Sequence, residues 1–541
     1  MGRIAVRIKT VEQTLEDLRS TEGGGRLRRD LGWFDLVVTG VGMVLGTGIF
    51  VFTGQVAKQM AGPAVAVSFV LAAVICGCAA LCYAELASSL PVAGSAYTFA
   101  YTTLGETAAW IIGWAMMLEL TLSACVVAVG WSGYLQSMLD SVGVHLPAAV
   151  SGGEGSVVNL PAALLIVVLV GVLVVGGSVS KSATRALVAV KLVVVLVVVG
   201  VGVFFVSTSN YTPFVPSSEP SEAASGMSEP LLQWLGGGVP SAFGISGVVT
   251  AAAMVFVSYI GFDVVATSAE ETRKPQRDLP IGLLGSLVVV TVLYVAVSLV
   301  ITGMQSYRDL SVEAPVADAF KAVGQPAVAG LISVGVVVGL VTVCMVSIRG
   351  QSRVLLAMSR DRLLPPAFAA VHPRFATPHR SLLVLGAVMA VLSGFVDIGV
   401  LADLVNIGTL FAFMLVSVGV VVLRRTRPDL PRPFRVPLVP LLPGVSFVAC
   451  LYLMLNLQLL TWVTFLVWLA VGLVLYAAYG RRHSRLAPSA GPAEPAAVSG
   501  PEPAAVSGPD SAPVSGPVSR SDSAPADATR DELVPDAPAA V

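Results

Sequence analysis

Apolar residues run along this chain in long stretches separated by short polar segments. Stretches near the roughly 20 residues that a helix needs to cross a bilayer fall at about twelve places: 33–57, 63–87, 107–137, 159–178, 184–206, 243–269, 279–304, 326–358, 381–396, 399–423, 440–457 and 461–480. They predict an all-α membrane protein with twelve transmembrane helices and little chain left for a soluble domain. The third and eighth stretches are long enough to tilt strongly or to project beyond the bilayer. The ninth is the shortest.

Composition supports this pattern. Of 541 residues, 55% are hydrophobic and 12% charged, about half the roughly 25% usual in soluble domains. The 32 Lys and Arg nearly cancel the 33 Asp and Glu, so net charge argues for no nucleic acid or acidic partner. The distribution is informative where the total is not. With the N-terminus inside and twelve alternating spans, only Lys58, Arg308 and Lys321 fall outside and Lys191 falls within a span. Every other Lys and Arg lies on the cytoplasmic side, which is a strong positive-inside bias.

Residues 1–32 lack the apolar core and cleavage site of a signal peptide and read as a cytoplasmic tail. Residues 481–541 turn to Pro, Ala, Ser and Gly and repeat the octamer EPAAVSGP from Glu494 and Glu502, then DSAPVSGP from Asp510. Such a tail buries too little apolar surface to order itself; it reads as disordered and cytoplasmic. The segment 207–240 lacks basic residues, as an external loop should, and holds a glycosylation-like Asn210-Tyr211-Thr212. The six cysteines all sit in apolar stretches as packing residues and the four histidines in loops, so no disulfide framework, metal or cofactor is expected.

Two stretches are interrupted by glycine near their middles: Gly46-Thr47-Gly48-Ile49-Phe50 in the first, Ser258-Tyr259-Ile260-Gly261-Phe262 in the sixth. Breaks at that depth free backbone groups that water cannot satisfy, so they must be buried in protein or bind a ligand. In transporters built of inverted five-helix repeats the first helix of each half is broken in this way; the first and sixth are those positions. N–H groups near Thr47 and Gly48 would suit a carboxylate, and carbonyls of Val257, Ser258 and Ile260 an ammonium. A zwitterionic α-amino acid satisfies both. The plainer alternative is that these glycines only allow close helix packing. Gly40-Val41-Gly42 lacks a preceding strand and is no dinucleotide loop.

The chain resembles the amino acid, polyamine and organocation superfamily, and within it the cationic amino acid transporter-like branch that includes bacterial proton-coupled permeases. The resemblance covers about residues 28–480 and rests on GTGIFVFTG (46–54), CYAELASSLPVAGSAYTFAY (82–101), SYIGFDVVATSAEETRKPQRDLPIG (258–282), GQSRVLLAMSRDRLLP (350–365) and LVNIGTLFAFMLVS (404–417). It implies a LeuT-type fold: a first five-helix repeat at 33–206, an extracellular loop at 207–240, an inverted second repeat at 241–424, and two peripheral helices with their preceding loop at 425–480. It also implies amino acid transport by alternating access. Relatives commonly carry F-F-A-Y-I-G-F-D in helix six, where this chain has Phe256-Val257-Ser258-Tyr259-Ile260-Gly261-Phe262-Asp263. Val257 stands where an aromatic residue covers the substrate, which leaves room for a bulkier ligand, and Ser258 adds a hydroxyl.

Ionisable residues inside the spans complete the candidate set. Lys191 lies about seven residues into its span, roughly 10 Å at ~1.5 Å per residue, too deep to snorkel comfortably. A charge there is costly, so a change in water access would load or release a proton. The resemblance gives a lysine at this place proton coupling; the alternative is a structural donor to helix-one carbonyls, with exchange or uniport. Glu119, mid-span in helix three, is a candidate for substrate or proton handling, or a carboxyl hydrogen-bonded between helices. Glu85 and Asp263 read as gating or structural ion-pair residues, and the run from Glu270 to Asp278 as a solvated loop at the inner gate. Trp110, Trp114 and Trp131 read as interface anchors or packing.

The substrate-contact candidates are Gly46, Thr47, Gly48, Ile49, Glu119, Phe256, Val257, Ser258 and Ile260. The expected function is import of an L-amino acid with a proton across the cytoplasmic membrane, both termini inside. A non-transporting receptor on the same scaffold is the rival from another class; the sequence holds no nucleophile, base and oxyanion arrangement that would mark an enzyme.

Overall fold

The computed structural model describes residues 31–486 except 91–94, 153–155, 177–180, 221–225, 238–240, 268–271, 373–374 and 376. The N-terminal segment before Leu31 and the octamer-bearing tail from Ala487, read above as cytoplasmic tails, lie outside the described residues, as do Glu270 and Glu271.

Helix occupies every apolar stretch read from the sequence, with ends moved by a few residues. The principal helices are α1 (Trp33–Val44), α2 (Val65–Ser89), α3 (Ser95–Thr103), α4 (Glu106–Ser141), α5 (Leu160–Val174), α6 (Lys181–Gly202), α7 (Gly244–Val255), α8 (Pro275–Met304), α9 (Pro315–Ala322), α10 (Pro326–Arg360), α11 (His379–Phe395), α12 (Ile398–Thr426), α13 (Leu441–Leu455) and α14 (Leu459–Leu475). Seven helical runs are long and apolar enough to cross a membrane; five more, among them α1, α5, α11 and α13, are apolar but shorter. The valine-rich runs are helical despite β-branching because in hydrocarbon every backbone group must be paired within its own segment.

Start signals are local. Pro161, Pro275 and Pro326 occupy first-turn positions where no N–H is needed. Asn159 Oδ1 accepts from Ala162 N (3.1 Å) and Asp397 Oδ1 from Gly399 N (2.7 Å). At 36 and 35 residues, α4 and α10 each span about 50 Å, well beyond the ~30 Å hydrocarbon core.

Helix α4 is central and packs on α10 and α12, while α8 lies against α1 and α2. Close approaches occur at glycine: a Cβ on Gly335 would fall 2.3 Å from Val194 Cγ2, and one on Gly386 2.6 Å from Val170 Cγ2. Helix α14 leaves Leu466, Val467 and Val474 exposed, an apolar outer face suited to lipid. The tryptophans on α4 are packing residues. Trp110 Nε1 donates to Gly472 O (2.9 Å), Trp114 to Trp468 O (2.8 Å) and Trp131 to Val337 O (3.0 Å).

The segment expected as a long loop carries a small antiparallel ribbon, β1 (Glu219–Pro220) with β2 (Ser241–Ala242), and a short helix Leu231–Gly236. Within it the Asn210 amide donates to Gly303 O (2.7 Å), so this Asn is engaged by the backbone.

Candidate functional site

Both glycine-marked helices are broken. Helix α1 ends at Val44, and Leu45 leaves helical geometry at ψ 87°. Winding resumes as a wider π-type turn over Gly48–Phe52, wholly buried. The break therefore centres on Leu45 and Gly46, at the start of the glycine motif. Helix α7 tightens into a 3-10 turn over Phe256–Tyr259 and turns extended at Ile260 (ψ 136°). Gly261 follows at φ +114°, a conformation that effectively requires glycine.

The two breaks abut. A Cβ on Gly48 would lie 2.4 Å from Ser258 Cβ and 2.7 Å from its Cα, and one on Gly261 3.4 Å from Met43 Cβ. Ser258 Oγ, buried in this contact, has no hydrogen-bond partner among the described residues.

Tyr294 on α8, which sequence reading passed over, joins the breaks. Its hydroxyl lies 2.7 Å from Val44 O and 2.6 Å from Ser258 O. These are two carbonyls released where the helices stop, and one proton serves either in turn. Tyr294→Phe removes this donor, at about 1–3 kcal/mol for the one buried hydrogen bond lost, since only one carbonyl is served at a time. A thermal midpoint lowered by several degrees in purified protein is the expected result; an unchanged midpoint would show that the hydroxyl holds nothing.

Two cavities flank the breaks. One, about 190 Å³, is lined by Met43, Glu119, Ile260, Gly261, Asp263 and Val343, with Arg349 and Arg353. The other, about 590 Å³, is lined by Val51, Gln55, Gly130, Gln136, Glu313 and Asp397 among others. Along α4 they take successive segments, Met116 to Ser123 and Val129 to Gln136. Between them the chain is packed. Thr47 sits against Gly130, where a Cβ would meet its Cγ2 at 2.6 Å. Phe50 meets Tyr134 edge-on, and Phe256 meets Phe413.

Of the residues read from sequence, Glu119, Ile260 and Asp263 share the smaller cavity. Thr47, Gly48, Ile49, Phe256 and Ser258 are buried in the partition, and a Cβ added to Gly46 would meet Val343 Cγ1 at 3.7 Å. Val257 is half-buried and lines neither cavity. Glu119 is buried, with its Cβ against Gly408 of α12.

Lys191 on α6 is 1% exposed and its Nζ donates to Gly42 O (2.8 Å), in the last turn of α1 before the break. Its stem lies along Gly339 of α10, where a Cβ would meet its Cγ at 2.8 Å. Among the described residues no carboxylate pairs with it.

Glu85 is locked in place. Arg424 Nε and Nη2 donate to its two oxygens (2.8 and 2.6 Å), and Val436 N donates to Oε2 (2.7 Å). This bidentate, charge-assisted clamp ties α2 to the last turn of α12 and to the segment after it. Near the inner-gate run, Leu31 bridges to Thr272, and Arg273 N donates to Leu31 O (2.9 Å), holding the chain before α1 to the loop after the sixth stretch.

Apolar helices long enough to span, a core of broken helices and cavities on either side define a multi-pass membrane protein. The comparisons name the kind. A family model for amino acid permeases matches residues 31–478. The methylthioribose transporter of Bacillus subtilis is 44% identical over 479 residues, 88% of this chain and 98% of the relative. The branched-chain amino acid permease BcaP of the same organism is 44% identical over 483 residues with the same coverage. Vacuolar cationic amino acid transporter 4 of Arabidopsis thaliana is 36% identical over 431 residues, 78% of this chain and 68% of the relative. The chain belongs to the amino acid permease family, whose members are transporters and not enzymes.

Proposed function

We propose that this protein is a secondary transporter that imports an L-amino acid with a proton across the cytoplasmic membrane by alternating access. The proposed architecture is twelve crossings, with 33–206 and 241–424 as inverted five-helix repeats, 425–480 as a peripheral pair and both termini cytoplasmic. The observation that carries this reading is the abutment of two mid-stretch helix breaks at Gly48 and Ser258. The packed partition there separates two cavities, as a substrate site reached from one side at a time requires.

In this reading the breaks hold the substrate's carboxylate near Thr47 and Gly48 and its ammonium near the carbonyls of the sixth stretch. Glu119 and Ile260 line its path, and Asp263 stands at the inner side. The two Bacillus relatives, equally similar, are named for a branched-chain amino acid permease and a methylthioribose transporter, and the cationic transporter of Arabidopsis is less similar. A branched aliphatic side chain suits the apolar partition best, and L-leucine is the first substrate to test.

The experiment is uptake of labelled L-leucine into proteoliposomes with and without an imposed pH gradient, inside alkaline. Accumulation above equilibrium only with the gradient is expected. Acceleration by internal leucine with no response to the gradient would favour exchange. That rival draws on the bond from Lys191 to Gly42 O, since a lysine fixed there as a structural donor would leave the carrier uncoupled. Binding without flux would instead leave a receptor.

A further inference from the structure

A third cavity of about 360 Å³ adjoins the 590 Å³ one and shares Gln59, Met60, Ser228, Met254 and Gln458 with it. Asp403, in the second turn of α12, lines this third cavity and is 4% exposed. No hydrogen bond or ion pair to its carboxylate is present among the described residues. Two further oxygens on the same cavity are also buried and without partners among the described residues, Thr250 Oγ1 from α7 and Gln233 Oε1 from the short helix Leu231–Gly236.

Three acceptor-capable oxygens from three separate elements line one cavity, where an unpaired carboxylate is expensive. The feature that answers all three oxygens is a compact cation with three donors, which is a primary ammonium. Size favours this over a bare alkali ion, because the cavity is far larger than one dehydrated ion requires and fits a solute of several heavy atoms. The approach is of one sign: among the described residues no Lys or Arg lines either cavity, while Glu313 and Asp397 line the larger one, which raises the local concentration of cationic groups.

We propose that Asp403, Thr250 and Gln233 form a binding site for a primary ammonium group, that of an amino acid waiting in this cavity before it reaches the helix breaks. The identity of the solute rests on the transport reading above; the site itself does not.

The test uses the full chain purified in detergent and follows its thermal midpoint against n-propylammonium chloride, with potassium chloride, sodium chloride and sodium propionate at matched ionic strength. Saturable stabilisation by n-propylammonium alone is expected. Asp403→Asn should raise the half-saturating concentration at least about thirtyfold, the loss that follows removal of one partner from a buried charged pair. Thr250→Val should raise it about threefold to tenfold and carries the test if the Asp403 variant does not fold. An equal response to sodium, no saturable response in the wild type, or half-saturation unmoved by either substitution would overturn the proposal. Leucine uptake that fails while the propylammonium response persists would sink the transport reading and leave the site. Intact uptake without that response would do the reverse.

Discussion

Gly48→Ala is expected to reduce uptake to background, whereas Gly46→Ala, two residues away, is expected to transport within a few-fold of wild type. A Cβ on Gly48 would lie 2.4 Å from Ser258 Cβ, 2.6 Å from its Oγ and 2.7 Å from its Cα. Because the last of these is backbone, no rotamer change relieves the clash; the two broken helices have to move apart. Overpacking a tight core costs about 1–3 kcal/mol in ordinary cases, and here the displacement falls on the proposed substrate site. At Gly46 the nearest atom to a new Cβ is Val343 Cγ1 at 3.7 Å, which is ordinary van der Waals contact. Ser258→Gly in the Gly48→Ala background removes the Cβ and Oγ clashes but leaves the Cα, so partial recovery of uptake is expected. The double-mutant cycle should give a coupling of about 0.5–3 kcal/mol. Equal effects of the two single substitutions, or no recovery in the double variant, would mean that the Gly48 and Ser258 contact is not what the glycine serves.

What the sequence made legible was mostly what is encoded within one segment. Apolar runs, first-turn prolines and the caps at Asn159 and Asp397 act over a few residues, so the helices could be read directly. The breaks were legible too, because glycine weakens a helix wherever it sits. Their exact centres were not: the first lies at Leu45 and Gly46, since the chain can resume helical winding at Thr47 once Gly48 packs on Ser258. Contacts between helices were the hidden part. Tyr294 is one aromatic residue in a valine-rich run, and nothing local says that its hydroxyl reaches two freed carbonyls. Asp403 was missed for another reason. The rule that singled out Lys191 and Glu119, an ionisable side chain inside an apolar stretch, applies equally to it, but it lies one residue before the motif that begins at Leu404. Glu85 was read as either gating or structural, and the choice depends on Arg424, 339 residues away in sequence.

Lys191→Met is expected to abolish gradient-driven accumulation of leucine while leaving exchange of internal for external leucine within a few-fold of wild type. Methionine keeps most of the unbranched stem that lies along Gly339 of α10, so packing is largely preserved. The substitution removes the ammonium that donates to Gly42 O at 2.8 Å. Two energetic consequences oppose each other. Gly42 O loses a charge-assisted partner, at about 1–3 kcal/mol for a buried acceptor left unpaired. A buried cation with no carboxylate beside it is also removed, and replacing such ions with well-packed apolar groups is often neutral or stabilising. The thermal midpoint should therefore change by only a few degrees. That near-cancellation makes the variant diagnostic, because a loss of coupling cannot be ascribed to unfolding. Gly42 lies two residues before the end of α1, so a proton lost from Nζ would leave a neutral amine that holds the last turn of α1 more weakly, which is how a proton at α6 would act on a substrate held at Gly48. Accumulation that survives in Lys191→Met under an imposed pH gradient would end the coupling assignment. Loss of accumulation and exchange together, with the midpoint unchanged, would assign Lys191 to holding the break in shape and leave proton coupling to another group.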